Sequence, residues 1–315
     1  MDATKLFDAH KRHIHKLRLQ LTDACNFRCF YCMPSQIKFL PNSSLLSSNE
    51  ILNICEHLVS NGIDEIRVSG GEPLLRPDFN EIIAALSRLS LQKLGLTTNG
   101  YLLKEKINFL KTTRCHHINI SLDSLDSTKF QNITQFTDFE RIHRAIILAK
   151  DSGFCIKTNT VIMRGINDDE IFDFLEFSRK YQIEVRFLEL MKIGCARFSH
   201  EQNFISAKEV IEKIEQRYKL TPQSVNIDST AFNFTTDHGA KIGFIASESQ
   251  PFCQFCSRLR LSADGYLRAC LMSQAGASLK NIPVCDYPGI IRQVMRLKPT
   301  ARIEKIDQPM YQIGG

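Results

Sequence analysis

Over the first 190 residues, short apolar and β-branched runs alternate with longer stretches whose apolar positions recur every three or four residues. The short runs are 16–21 (KLRLQL), 64–69 (DEIRVS), 93–98 (KLGLTT), 117–122 (HINISL), 155–162 (CIKTNTVI) and 184–190 (EVRFLEL). Their length and composition predict strands. Between the first two, the stretch 47–62 places Ile51, Ile54, Cys55, Leu58 and Val59 on one helical face, with Ser48 as the expected cap and Gly62 as the stop. The spacing recurs at 78–89 and 138–153, and 167–181 opens on Asn and three acids, as a helix N-terminus prefers. Six strand–helix units predict an α/β fold with a parallel sheet and right-handed crossovers, short of the eight that close a barrel. The expected architecture is a partial (βα)6 barrel, laterally open, with functional residues at the C-terminal ends of its strands.

The texture changes after residue 191, and the expected division is 1–191 for the barrel and 192–315 for a C-terminal α+β extension. In the extension, 192–204 reads as loop, and 206–218 reads as a helix with a capping box of Ser206 and Glu209. The stretch 230–247 reads as a hairpin turned by DHG, and the final QPMYQIGG as a mobile tail.

Composition narrows the partners. The chain has 315 residues, 43% of them hydrophobic, and a net charge of +6. That excess suits a small anionic substrate and is too weak and dispersed for nucleic acid. No run of about 18 apolar residues is present, so no membrane span is expected. The first residues lack the apolar core of an export signal. Eleven cysteines without such a signal point to a reducing, cytoplasmic setting, where they read as metal ligands or buried hydrophobes before disulfides.

Cys25, Cys29 and Cys32 follow the first strand directly, with Phe27, Phe30 and Tyr31 between them and no fourth ligand nearby. Structural zinc normally takes four ligands, whereas a 4Fe–4S cluster on three thiolates keeps one iron open. A zinc site or plain buried thiols remain the alternatives. Cys253, Cys256 and Cys270 form a second triplet, to which Cys285 could add a fourth thiolate in a purely structural site. Arg258 and Arg260 follow Cys256 and share a strand face, a pairing suited to phosphate oxygens. Arg18, Arg67, Lys157 and Arg186 each interrupt an apolar strand. Buried strand charges are costly unless paired, so four on four strands suggest an anionic pocket inside the barrel.

With CxxxCxxC after the first strand and SGGEP (69–73) after the second, the sequence resembles the radical S-adenosylmethionine (SAM) superfamily. The resemblance implies that SAM chelates the open iron and is cleaved to a 5′-deoxyadenosyl radical. Further matching pieces, TDACNFRCFYCMP, IRVSGGEPLLRPDF, GLTTNGYLL, INISLDSLD, KTNTVIMRGIND, VRFLELM, FCQFCSRLRLSADG and IGG, run along essentially the whole chain. They resemble one branch of that superfamily, the GTP 3′,8-cyclases of molybdenum cofactor biosynthesis.

That resemblance implies two 4Fe–4S clusters, on Cys25, Cys29 and Cys32 and on Cys253, Cys256 and Cys270. It implies SAM contacts at Tyr31, Gly71, Glu72, Ser121 and Met191. It implies GTP contacts at Arg18, Arg67, Thr97, Lys157, Arg186, Arg258, Leu259 and Arg260. The implied catalytic set is Arg18, Arg258 and Arg260, with Gly314 and Gly315 on a tail that reaches the site. Abstraction of the ribose C3′ hydrogen and closure onto guanine C8 would give 3′,8-cyclo-7,8-dihydro-GTP, passed on to the next enzyme of molybdopterin synthesis. A homodimer is typical of the family, and an unidentified, flavodoxin-like reductant is the expected electron donor.

This sequence departs from the family at Ala24, where Arg is usual, and at Glu65, where a base is common. The segment between Cys270 and the tail is short. Two other readings remain: a peptide-modifying radical SAM enzyme with an auxiliary cluster, and a zinc-stapled nucleotide-binding protein without catalysis. Cys55, Cys115, Cys155 and Cys195 each stand alone and read as core packing or chance occurrences.

Overall fold

A computed structural model describes residues 5–34, 36–304 and 306–313. Twelve strands form one sheet among the described residues: β1 Lys16–Gln20, β2 Glu65–Ser69, β3 Lys93–Thr98, β4 His117–Ser121, β5 Cys155–Ile162, β6 Glu184–Glu189, β7 Leu220–Gln223, β8 Phe232–Thr236, β9 Lys241–Ile245, β10 Arg258–Leu261, β11 Tyr266–Arg268 and β12 Gly276–Ser278. Their order is β12-β11-β10-β1-β2-β3-β4-β5-β6-β9-β8-β7. All six expected strands are present in parallel register.

The chain then adds a parallel strand at each flank, with β10 beside β1 and β9 beside β6. The sheet stays open, because each flank continues into antiparallel strands rather than pairing with the other. The DHG hairpin is present as β8–β9.

Helices cover the outer face: α1 Ser48–Ser60, α2 Phe79–Leu86, α3 Leu103–Lys111, α4 Ser127–Thr134, α5 Phe139–Asp151 and α6 Ile171–Tyr181. Leu17, Leu19, Ile66, Val68, Leu94, Leu96, Ile118 and Ile120 point outward from the strands and pack with Ile51, Ile54, Leu58, Ile82 and Ile83 of the helices. Ile54 is fully buried, so truncating it to Ala would cost about 2–5 kcal/mol.

Three expectations change in detail. The cap of α1 is Ser47, not Ser48, because Ser47 lies three residues before Glu50 and closes a reciprocal capping box with it. Helix α6 starts at Ile171, and the preceding Glu170 instead accepts hydrogen bonds from Ser124 Oγ and the backbone N–H groups of Leu125 and Asp126. The loop at 192–204 contains a short helix, α7 His200–Asn203.

The helix with the Ser206–Glu209 capping box is α8 Ala207–Glu215, and α9 Tyr287–Arg296 covers β11 and β12. The tail is docked as far as Ile313: α10 Met310–Ile313 buries Tyr311 and Ile313, and Gln20 Nε2 donates to the Tyr311 carbonyl at 2.7 Å. Burying two large apolar side chains outweighs the chain entropy that would otherwise fray this end. Gly314 and Gly315 lie outside the described residues.

Candidate active site

The inner face of the open barrel is polar because one alternating set of strand positions is polar. Pairing runs Arg260–Arg18–Arg67 across β10, β1 and β2, so three guanidinium residues occupy one cross-strand row. Like charges placed opposite one another repel. Burial, then Arg67, Arg258 and Arg260, lower the Arg18 pKa well below its ordinary value, and Glu65 offsets little of this. Burial also brings Arg67 and Arg260 down to about 10.

Two glycines make room for inward-facing arginines. A Cβ at Gly95 would lie 3.0 Å from the Arg67 guanidinium, and one at Gly243 would lie 3.3 Å from Arg186 Cγ.

Two adjoining cavities share this basic floor. Arg18, Arg67, Arg186 and Arg258 line both. Thr97, Met191, Arg260 and the thiols of Cys253, Cys256 and Cys270 line the upper one, together with Met310 of the tail. Lys157 lines the lower one and is tied to Glu184 at 2.7 Å. Glu65 also faces the lower cavity, between Lys16 and Lys93 in register, with Lys16 Nζ at 3.8 Å, so flanking lysines answer its negative charge. Ser69 Oγ, Asn159 Oδ1 and Arg258 Nη2 are buried at the upper cavity with no hydrogen-bond partner among the described residues. Such orphaned groups suit a polar ligand.

Cys25, Cys29 and Cys32 lie on the loop at the C-terminal end of β1 and outside both cavities. Phe27 pins this loop by stacking on Phe136 at 4.6 Å and meeting Phe130 edge-on at 5.9 Å. Arg28 N and Phe30 N donate to the Thr134 and Ile133 carbonyls at the end of α4.

The SGGEP loop packs directly on this region. Gly71 N donates to Thr22 O at 2.7 Å, and Glu72 N donates to Ala24 O at 2.8 Å. A Cβ at Gly71 would sit 2.3 Å from the Ala24 carbonyl oxygen, so the contact admits only glycine. Glu72 is fully buried, and its carboxylate accepts from Leu74 N, Thr98 Oγ1 and Asn99 N. Burial raises it to about 7 against those three bonds. Tyr31 donates to Asp123 Oδ2 at 2.6 Å. Ser121 ends β4, in register with Asn159 of β5.

The second triplet sits at the opposite end of the same strand pair. Cys256 precedes β10, whose Arg258 pairs with Lys16 at the start of β1, while Cys25 follows the end of β1. A strand of five residues spans about 16 Å, so Arg18 lies between the two thiol groups. Met272 N donates to Cys270 Sγ at 3.4 Å, and Lys298 Nζ approaches Cys256 Sγ at 3.4 Å. At the first triplet, Phe27 N donates to Cys25 Sγ at 3.4 Å. N–H donors aimed at sulfur are what thiolate ligands of an iron–sulfur cluster use, and both triplets fit such a group. Cys285 does not line the cavity that holds Cys253, Cys256 and Cys270, and it is exposed.

Residues 19–178 match the radical SAM superfamily, and residues 183–299 match a family described as Molybdenum Cofactor Synthesis C. A GTP 3′,8-cyclase of Synechocystis sp. is 47% identical over 310 residues, covering 98% of this chain and 95% of that protein. The chain belongs to the GTP 3′,8-cyclase family. The family's Aquifex aeolicus member is 37% identical, covering 98% of this chain and all of that protein (100%). Molybdenum cofactor biosynthesis protein 1 of Drosophila melanogaster is 39% identical over 88% of this chain, matched to 49% of its own length.

The solved structure of Streptococcus suis SuiB bound to S-adenosylmethionine superposes with a TM-score of 0.62 at 14% identity, covering 90% of this chain and 69% of that one. At that identity the likeness bears on the fold alone. Membership of the cyclase family displaces the peptide-modifying and zinc-stapled readings. Its cofactors are SAM with a 4Fe–4S cluster, and a second cluster held through the C-terminal region.

Sequence reasoning missed several residues beside this cyclase-family site. Asp123 holds Tyr31, Asn99 Nδ2 lies 3.8 Å from Cys25 Sγ, and Lys298 is buried behind the second triplet. The SLDSLD stretch was a signal for Asp123; Lys298 had none. Leu259 is fully buried in the apolar core, between the two arginines that face the cavity.

Proposed function

We propose that the chain converts GTP to 3′,8-cyclo-7,8-dihydro-GTP, with the nucleotide held on the arginine row between two iron–sulfur clusters. The observation that supports this most is the row itself: repelling guanidinium groups, buried beside orphaned polar atoms, crossing strands whose two ends lead to the two thiol triplets. Such a concentration of buried cations favours anionic charge, which a triphosphate brings.

Arg18, Arg67, Lys157, Arg186, Arg258 and Arg260 bind phosphate oxygens, and Thr97 donates a hydrogen bond to the nucleotide. Leu259 acts by anchoring its two arginine neighbours in the core. Cys25, Cys29 and Cys32 hold the first cluster. Cys253, Cys256 and Cys270 would hold the second, which would offer the purine a metal contact. Tyr31, Gly71, Ser121 and Met191 surround SAM. Glu72 serves SAM by fixing the loop of Gly71 to Thr98 and Asn99. When bound, the first cluster and SAM supply the radical chemistry that begins at the ribose C3′ hydrogen.

The protein's own part is to clamp the ribose in a reactive pose and to keep bulk water away, an orientation effect that can be large. Arg18, Arg258 and Arg260 do most of that clamping. Gly314 and Gly315 complete the catalytic set. The barrel comprises 1–191 and the extension 192–315, joined through one sheet. A flavodoxin-like reductant, a homodimer, a cytoplasmic location and delivery of product to the next enzyme of molybdopterin synthesis complete the reading.

The test is anaerobic reconstitution with iron and sulfide, followed by SAM, GTP and dithionite. About eight irons per chain, with 5′-deoxyadenosine formed only when GTP is present, is the expected result. About four irons, with SAM cleavage indifferent to GTP, would overturn it.

A further inference from the structure

Lys298 is 3% exposed, yet it carries a formal charge. Its three donors have three acceptors: Arg258 O at 2.6 Å, Ala269 O at 2.8 Å and Cys256 Sγ at 3.4 Å. The two carbonyls solvate the ammonium but do not neutralise it. Among the described residues, no carboxylate is one of its partners. A buried cation without an anion is costly. The anionic groups within its reach are the thiolates of Cys256 and Cys270 and whatever they hold.

The position of Lys298 is fixed from the other side as well. Arg12 donates to the carbonyls of Cys253 at 2.6 Å, Pro299 at 2.9 Å and Lys298 at 3.3 Å, while Asp8 holds the Arg12 Nε at 2.6 Å. Helix α9, anchored by Ile291, Val294 and Met295, leads straight into it. The lysine therefore ties the start of β10 to the residue before Cys270 and points its charge at Cys256.

We propose that Lys298 is the buried counter-cation of the second cluster, and that its hydrogen bond to Cys256 sets that cluster's reduction potential. The inference rests on the reading that Cys253, Cys256 and Cys270 hold a cluster. One-electron reduction adds negative charge at the sulfurs, and a fixed N–H donor with a positive charge favours that state. Lys298 acts through Cys256 and is a positioning residue.

The test isolates the second cluster. A parent full-length variant carrying Cys25→Ala, Cys29→Ala and Cys32→Ala is reconstituted anaerobically, and its iron, sulfide and midpoint potential are measured by dithionite titration followed by electron paramagnetic resonance. Lys298→Met is expected to retain the parent's iron while its midpoint becomes more negative by a tenfold change in equilibrium constant or more, about 59 mV for one electron. Lys298→Arg, which keeps the charge, should stay near the parent. Should Lys298→Met fail to fold, Lys298→Gln must show the same negative shift. An unchanged midpoint at equal iron, or equal loss of iron in the Met and Arg variants, overturns the proposal. A parent that binds no iron defeats the two-cluster reading itself, a separate outcome.

Discussion

The two cysteine triplets have the same number of thiols and opposite surroundings. At the first, burial and then the nearby Glu72 push the Cys25 thiol up to about 11, and burial followed by Asp123 pushes Cys29 up as well. At the second, burial alone would raise Cys256, but Arg258 and Lys298 outweigh it and bring the thiol down to about 6. Cys253 still lies above its ordinary value, from burial and from Cys270. The first site thus depends on bound metal to balance three thiolates among acids. At the second, basic neighbours already favour the Cys256 thiolate, and one of them, Arg258, also faces the cavity. One triplet suits a cofactor whose ligand brings its own ammonium group, and the other suits a neighbour that brings phosphates.

The largest predicted effect separates their chemistry. Cys29→Ala should abolish SAM cleavage altogether. Cys256→Ala should keep about four irons per chain and some SAM cleavage, yet form no cyclic nucleotide. Iron analysis with product mass spectrometry decides, and cyclisation by Cys256→Ala would remove the second triplet from the reaction. Next in size is Arg18→Leu, between the triplets. Losing a charge-assisted bond worth about 1.5–3 kcal/mol should weaken GTP binding by about 10- to 100-fold. The ligand-free protein should melt at a higher temperature, because Arg67, Arg258 and Arg260 no longer face a fourth like charge. Calorimetric titration and thermal melting must move in opposite directions; a parallel fall in both would mean Arg18 is structural.

Most of the barrel was legible because its signals are local. Strands β1 to β6 fall within one residue of their expected bounds, since apolar alternation and flanking turns are written in adjacent residues. The arginines that interrupt those strands gave away the cavity for the same reason. The parallel pairing of β9 and β10 at the flanks was not legible. Arg18 meets Arg260, and Arg186 meets Gly243, across separations that leave no trace in short-range spacing. Lys298 reads in sequence as an ordinary cation after a helix, because its acceptors, the carbonyls of Arg258 and Ala269 and the Cys256 sulfur, lie far back in the chain. The tail misled because chain ends commonly fray, while here Tyr311 meets Phe39 edge-on and Ile313 packs with Ile193, Met272 and Ile306. Glu170 misled because a run of acids suits a helix start as well as a loop brace.

A smaller effect tests the charge contrast directly. In metal-free protein, a thiol near 6 is mostly thiolate at pH 7, whereas one near 11 is almost wholly protonated. Alkylation of Cys256 by iodoacetamide should therefore exceed that of Cys25 by about tenfold or more at pH 7, and Cys25 should gain only as the pH approaches 11. Peptide mapping reads both rates, and equal rates at pH 7 would erase the asymmetry.

The smallest effect concerns the latch beside the second triplet. Asp228 accepts from Lys16 at 2.7 Å, His15 at 2.8 Å and Ser257 Oγ at 2.5 Å, and Ser257 adjoins Cys256. Burial would raise this carboxyl, but Lys16, Ser257 and His15 hold it well below the usual range. A depressed acid contributes stability that is fully present above its unfolded value, about 3.9, and is lost as the pH falls through the folded one. Asp228→Asn should cost about 1 kcal/mol at pH 7, seen as a modestly lower melting temperature with the iron content of the second cluster unchanged. The gap from the unaltered protein should narrow below about pH 4, where Asp228 of the unfolded chain starts to take up a proton that the folded carboxylate still refuses. A gap that holds constant into strong acid would show that shape, not charge, makes the latch.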